Sequence, residues 1–386
     1  MVGRVFTRAL EAILLLLLFS ILDAYHLGTM PRSTPLMLFN RGRGGQMPIY
    51  AGKHHSVFSS STISTNVIAS SRNGIESDEK SLAEKLRVGV YFSLWYAFNI
   101  AYNIYNKRAL NMAPALTYSI GFLQLFVGLI YVVPLWLCGL RAKPEITGDQ
   151  IRSLIPVTIC HALTHLGAIV SLGAGAVSFT HIVKAAEPAV SAFLSAIFTK
   201  SFLPLPVYLS LLPVMGGVAL ASLGELSFSM IAFVAAMISN VASASRGIVG
   251  KGVLKSPPGK NMNAQNLYAV MTILSAAMCL PVALAIEGKV LVPTIQAMIA
   301  GGVHVTFAFQ TFMSALTYYL YNEVAFLALD SVAPVTHALG NTIKRVVIIL
   351  TSVVVFGTTL TTRGAIGSTI AIVGVLLYSL AKDYFN

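Results

Sequence analysis

From residue 88 to residue 382 the chain is a succession of apolar runs with short polar interruptions, most of them long enough to cross a lipid bilayer. A hydrocarbon layer of about 30 Å needs roughly 20 apolar residues in a helix. Inside that layer the backbone must satisfy its own hydrogen bonds, which leaves helices or a closed barrel. Runs of this length point to helices, and the chain is expected to be an all-α membrane protein. The runs lie near 88–106, 114–139, 153–175, 178–199, 204–223, 227–249, 264–285, 293–319, 325–355 and 364–382, which predicts ten transmembrane helices. Several contain Gly or Pro, or exceed the length a span needs, so some should tilt or break. GAGA at 173–176 leaves almost no loop between the third and fourth spans, which makes them a tight antiparallel pair. The run at 325–355 holds Asp330, Pro334, Lys344 and Arg345, so only its later part is expected to cross continuously.

Charge agrees with a membrane setting. Charged residues are 10% of the chain, against about 25% in a soluble domain. The formal net charge of +12 comes from basic residues scattered between apolar runs, with no continuous stripe that could track a phosphodiester backbone. Nucleic acid is therefore excluded as a partner; the lipid bilayer and small molecules remain. Cys138, Cys160 and Cys279 have no paired ligand spacing, so neither a disulfide framework nor a cysteine metal site is expected.

The segment before the spans reads differently. Residues 1–25 have a basic start and an apolar stretch near 12–22, too short to span and similar to a secretory signal. Residues 26–84 resemble an organelle transit peptide: they are rich in Ser, Gly, Pro and Thr, and carry cations but no acid before Glu76. Too little apolar surface is present there to fold, and disorder is expected. Signal plus transit suggests import in two steps, as into a secondary plastid; a disordered tail behind a weak signal anchor is the alternative. With ten spans both termini lie on one side, where the flanking cations also gather (Lys85, Arg87, Lys143, Arg152, Lys251 and Lys260 among them), and that side should face the compartment of insertion, the stroma.

Two stretches look like copies of each other. SFTHIVKAAEPAVSAFLSAIF at 178–198 and PVTHALGNTIKRVVIILTSVVVF at 334–356 each place a Thr-His pair before an intramembrane cation, and each is followed by a Gly-rich span. A division into five-helix repeats, 85–223 and 224–386, follows. An odd number of spans per repeat inverts the second copy, the arrangement on which alternating access is commonly built, with the substrate near the midplane.

Lys184, Arg246, Lys344 and Arg345 sit within apolar runs, where a charge costs at least about 2.5 kcal/mol. Only Glu187 stands beside one of them, so an excess of positive charge remains that a dianion would neutralise. Thr180 and Lys184 share a helix face, as do Thr336, Gly340 and Lys344, while Arg345 lies about 100° further round. A lysine from each half and one guanidinium fork can surround a phosphate. For Lys184 the alternative is a salt bridge to Glu187 or snorkelling, and for Arg246 snorkelling to a nearby helix end. His161 and His165 are one turn apart in CHALTH with no third ligand nearby, which favours hydrogen bonding over zinc. Asn99, Asn103, Asn106 and Lys107 form a polar stripe on the first span, suited to a seam or a cavity wall. Tyr321, in YYLYNE, could cap a phosphate, line the organic part of a ligand, or sit at the interface as a belt aromatic.

The stretches NIYNKRAL, CHALTHLGAIVSLGAGAVSFTHIVKAAEP and YNEVAFLALDSVAPVTHALGNTIKRVVIIL resemble the plastid phosphate translocator family, the sugar-phosphate/phosphate antiporters of the drug/metabolite transporter superfamily. The likeness extends over essentially residues 85–384. It implies phosphate contacts from Lys184, Lys344 and Arg345 with Tyr321 nearby, and contacts to the distal part of the substrate from His165 and Arg246; the intramembrane polar residues Thr164, Thr180, His161, Asn103 and Lys107 are candidates for the cavity wall. The likeness also implies exchange of inorganic phosphate for a phosphorylated compound across the plastid inner envelope. No cofactor or metal is expected, and a monomer is, since each half can bury its polar stripe against the other. Ala168 departs from the triose-phosphate pattern, which offers a hydroxyl there, and looks like the hexose- and pentose-phosphate carriers; YNEVAFLALDSVAP looks like the triose-phosphate branch. The expected substrate is triose phosphate or 3-phosphoglycerate. Phosphoenolpyruvate, a pentose phosphate or a hexose phosphate are the alternatives, with a nucleotide-sugar carrier or an anion channel behind them. An enzyme is disfavoured, because the apolar region holds no paired carboxylates and no nucleophile with a base.

Overall fold

The structure, a computed structural model, describes residues 61–386 except 201, 226–227, 257, 333, 359–360 and 386. The segment expected at 1–25, and 26–84 as far as residue 60, lie outside the described residues. The chain divides into a unit ending at Gly89 and a larger one of residues 90–386. Residues 61–84 are helical, as the start of α1.

Among the described residues the regular elements are all helical: α1 (Ser61–Met112), α2 (Thr117–Leu137), α3 (Gly148–Ala174), α4 (Val177–Lys184), α5 (Glu187–Phe198), α6 (Leu205–Leu209), α7 (Leu211–Leu223), α8 (Met230–Val249), α9 (Lys251–Lys255), α10 (Ala264–Ala300), α11 (His304–Ser331), α12 (Pro334–Phe356) and α13 (Thr362–Phe385). Among the described residues eight stretches are long and apolar enough to cross a membrane, with α4 and α5 forming one of them and α6 and α7 another. The two other expected spans, in α1 and α11, fall short because polar groups interrupt them. Asn99, Asn103, Asn106, Ser314, Thr317 and Glu323 are all buried, turned into the protein rather than toward lipid.

Local sequence explains the boundaries. Thr147 and Gln150 form a reciprocal capping box at the start of α3, Ser229 caps α8, and Asn263 caps α10, each accepting from an otherwise orphaned backbone N–H. The span expected at 178–199 is split at Ala185–Ala186. Pro188 cannot donate to the Lys184 carbonyl and its ring crowds that carbonyl, so Ala185 N and Ala186 N instead close tight turns onto Ile182 O and Val183 O at 2.9 and 3.1 Å. Helices expected at 264–285 and 293–319 have different bounds. The chain runs as one helix through Pro281 and Pro293 to Ala300. It breaks at Gly301–Gly302, where Gly302 takes a left-handed φ of +68°.

Helices pack in a regular scheme: α2 on α10, α4 on α12, α7 on α13, and α3 on both α8 and α10, while α11 lies on α2. Tyr102 of α1 packs at a tilt on Tyr318 of α11, and Tyr105 meets Phe309 edge to face. At one end the loop after α2 is tied to the loop before α10. Glu145 and Lys260 exchange backbone hydrogen bonds, Asn266 donates to Ala142 O at 2.8 Å, and Trp136 donates to Asn266 Oδ1 at 3.0 Å. Beside this tie, Arg141 pairs with Glu323, both deeply buried.

Candidate functional site

A cavity of about 670 Å³ lies among α1, α3, α4, α5, α8, α11 and α12. Met262 and Asn263, and Ala264, Leu267 and Met271 at the start of α10, also line it. Four cations, Lys184, Arg246, Lys344 and Arg345, reach its wall from three different spans, with one carboxylate, Glu187.

The break between α4 and α5 places two of these groups. Lys184 is the last residue of α4 and Glu187 the first of α5, so the interruption turns both toward the cavity. Lys184 Nζ donates to Ser239 Oγ at 2.7 Å, and Ser239 Oγ donates to Thr164 O at 2.8 Å. Asn240 Nδ2 holds the end of α4 by its bond to Val183 O at 3.0 Å. The Lys184–Glu187 pairing considered from sequence is replaced by another. Arg345 Nη2 donates to Glu187 Oε2 at 2.9 Å, and Ser243 Oγ donates to Glu187 Oε1 at 2.5 Å. Lys344, next in sequence to Arg345, sits over the Trp95 ring, 4.7 Å from its centroid, a contact that favours a cation electrostatically.

The remaining expected residues sit along the same wall. Arg246 Nη1 donates to His161 Nδ1 at 2.9 Å. His165 Nε2 lies 2.9 Å from Gly121 O, and because a carbonyl only accepts, that nitrogen carries the proton. The His165 ring packs on Tyr318, centroids 4.4 Å apart, and Tyr321 packs on both Tyr102 and Tyr318. Thr164 and Thr180 line the cavity, Thr180 sharing a hydroxyl bond with Ser171 at 2.8 Å. Asn103 accepts from His181 Nε2 at 2.9 Å and donates to Asn99. All of these but one belong to a single cavity. Lys107, expected in the wall, is a correction: its Nζ donates to Leu172 O and Gly175 O, both at 2.8 Å, where α3 ends. The last carbonyls of a helix have no intrahelical donor, and they draw the cation to themselves.

Sequence reading missed Trp95, Ser243, His181 and Asn341 as wall residues, and Ser239 as the hydroxyl that holds Lys184. A signal was present for three of them: Ser239, Ser243 and Arg246 recur at helical spacing on α8, and His181 stands one turn before Lys184. Trp95 carried none, since an aromatic in a first span reads equally well as a belt residue.

Chemically the wall offers charged donors on one flank and imidazole, tyrosine and amide groups on the other, which suits a small ligand with an anionic head and a polar body. Among the proteins this chain is similar to are some named as translocators of such ligands. The model of the Triose-phosphate Transporter family matches residues 86–379. The chloroplastic triose phosphate/phosphate translocator of Pisum sativum is 42% identical, covering 77% of this chain and 73% of that protein. The chloroplastic glucose-6-phosphate/phosphate translocator 2 of Arabidopsis thaliana is 38% identical over 80% of this chain and 79% of its own length. The chloroplastic xylulose 5-phosphate/phosphate translocator of the same plant is 38% identical over 86% and 79%. With a family model covering most of the chain and relatives near 40% identity over about three quarters of both proteins, the chain belongs to the Triose-phosphate Transporter family, membrane carriers of the drug/metabolite transporter type.

Proposed function

We propose that this protein is an antiporter exchanging inorganic phosphate for a phosphorylated C3 compound, triose phosphate or 3-phosphoglycerate, across the inner envelope membrane of a plastid. The observation that carries the reading is the convergence of Lys184, Lys344 and Arg345 on one cavity, with Arg246 and His165 further along the same wall. Lys184 and Lys344 supply compact charges and Arg345 a fork for two phosphate oxygens; Tyr321 closes the phosphate end, while Arg246 and His165 meet the organic part. The relatives compared are named as phosphate translocators and chloroplastic. The signal-plus-transit character of residues 1–84 favours a secondary plastid.

Alternating access between two inverted repeats, 85–223 and 224–386, is the mechanism we infer, with α1 as the first span and α11 as the eighth completing ten. Support comes from the packing. Counted as spans in chain order, the second, fourth and fifth each pack on the seventh, ninth and tenth, and the third-on-seventh contact is mirrored by the eighth on the second. A pseudo-two-fold axis in the membrane plane produces these pairings. One chain encloses the whole cavity, so a monomer suffices. An empty site gathers like charges, which opposes closure until a dianion arrives, and exchange is then obligatory.

A second reading has a specific observation behind it. Ala168 lines the cavity with a methyl group, and relatives naming glucose 6-phosphate and xylulose 5-phosphate, 38% identical, are nearly as similar as one naming triose phosphate, 42% identical. A pentose or hexose phosphate is the exchanged partner on this reading. Reconstitution in phosphate-loaded liposomes with labelled C3, C5 and C6 phosphates decides between them. The phosphate site itself is tested by Lys184→Ala and Lys344→Ala, expected to reduce phosphate homo-exchange at least about tenfold, the loss of one charge-assisted contact. Homo-exchange near wild type in both would overturn the assignment.

A further inference from the structure

The cavity wall contains its own anion. Glu187 is the one carboxylate among the described residues that line it, facing Lys184, Arg246, Lys344 and Arg345. Its two oxygens are engaged separately: Oε2 takes a proton donor of Arg345 at 2.9 Å, and Oε1 takes the Ser243 hydroxyl at 2.5 Å. It is the first residue of α5, where unpaired backbone N–H groups and the helix dipole favour negative charge. Because the span is interrupted just before it, at Ala185–Ala186, the carboxylate lines the cavity from a helix start rather than from a continuous helix face.

We infer that Glu187 is a resident counter-ion that competes with the substrate phosphate for Arg345. This inference rests on the phosphate-exchange reading of the site and adds a residue to it that does not bind substrate. In the unloaded carrier the Glu187 carboxylate occupies the guanidinium; an arriving phosphate takes that contact over. Glu187 then stays tethered through Ser243, one helical turn from Arg246 on α8. On release the carboxylate reclaims Arg345, so no step leaves the guanidinium without an anionic partner. Competition of this kind weakens phosphate binding and speeds release, because the ground state of the empty site is stabilised. It also sets a threshold on ligand charge: a dianion displaces a carboxylate from a guanidinium more readily than a monoanion does.

The test compares wild-type and Glu187→Gln protein in liposomes, using labelled inorganic phosphate inside and outside. The near-isosteric amide keeps a hydrogen-bonding group for Ser243 but removes the competing charge. The expected result is a KM for phosphate lowered at least about fivefold with a lower maximal exchange rate, binding having strengthened in the ground state. An unchanged or raised KM would overturn the inference. If the variant cannot be recovered folded, an infrared difference spectrum of wild-type protein carrying isotope-labelled glutamate, with and without phosphate, decides. A carboxylate band that moves on phosphate addition supports the exchange of partners, and a band that stays put overturns it. Absence of phosphate exchange in the wild type would instead remove the underlying functional reading, so the two failures are distinguishable.

Discussion

Gly217 on α7 and Gly367 on α13 meet backbone to backbone: a Cβ built on Gly217 would lie 2.6 Å from Gly367 O, and one built on Gly367 would lie 2.7 Å from Gly217 O. Neither helix can approach the other this closely with any side chain at the crossing, the small-residue contact common between membrane helices. Gly217→Ala and Gly367→Ala are therefore each expected to destabilise the protein by about 1–3 kcal/mol, with valine worse. Gly216 is the internal control, because a Cβ there meets nothing within 4 Å, and Gly216→Ala should leave stability unchanged or slightly raised. Thermal melting in detergent separates the three; equal melting of Gly217→Ala and Gly216→Ala would contradict the crossing.

The crossing, like much of the fold, was only partly visible in the sequence. Apolar runs identify spans because lipid tolerates little else, and the four intramembrane cations identify a site because charge in hydrocarbon demands a reason. The same rule fails at Glu187. A lone acid three residues after Lys184 reads as its ion-pair partner, and only the break at Ala185–Ala186 redirects it to Arg345, 158 positions away in the chain. Lys107 fails in the opposite way. It stands in a polar stripe that does line the cavity at Asn99 and Asn103, yet at the helix end it finds two orphaned carbonyls instead. The boundary between α10 and α11 lies later than expected because α10 continues through the polar Glu287–Lys289 stretch, where the buried Glu287 carboxylate accepts from Tyr118 N and Ser119 N at 2.7 Å, and ends only at the glycines at 301–302.

Arg246 should separate the two kinds of substrate. On the proposed reading it faces the organic part of the ligand, anchored by His161 at 2.9 Å, and takes no part in binding free phosphate. Arg246→Ala is expected to raise the KM for the phosphorylated organic substrate about tenfold, one charge-assisted hydrogen bond. The KM for inorganic phosphate should move much less. Counter-exchange and homo-exchange measured on the same preparation check this, and an equal rise in both KM values would place Arg246 at the phosphate instead.

Arg141 and Glu323 form an ion pair almost wholly removed from solvent, with 4% and 3% of their side chains exposed. Removing one partner from such a pair strands the other charge, at about 3–5 kcal/mol, whereas replacing both with apolar groups is often neutral. Arg141→Met and Glu323→Leu are each expected to lower melting sharply, and the double variant to recover most of the loss. A double-mutant cycle measures the coupling. Additive losses would mean that the two residues act independently in holding the loop after α2 against α11.

Lys107 gives the last prediction. Its ammonium binds Leu172 O and Gly175 O at the end of α3, both at 2.8 Å, and so fastens α1 to α3 at the end of the bundle opposite the Glu145–Lys260 tie. A cation there also meets the negative end of the helix dipole. Lys107→Met strands two carbonyls and should cost about 1–3 kcal/mol of stability, while Lys107→Arg, which still donates and still carries charge, should retain most of it. Because Lys107 is spent on backbone rather than on the cavity wall, the KM for phosphate should stay within about twofold of wild type in both variants, well short of the tenfold expected for one charged ligand contact. A melting point unchanged in Lys107→Met together with a sharply raised KM would return Lys107 to the cavity wall, where its place in the polar stripe of α1 had first put it.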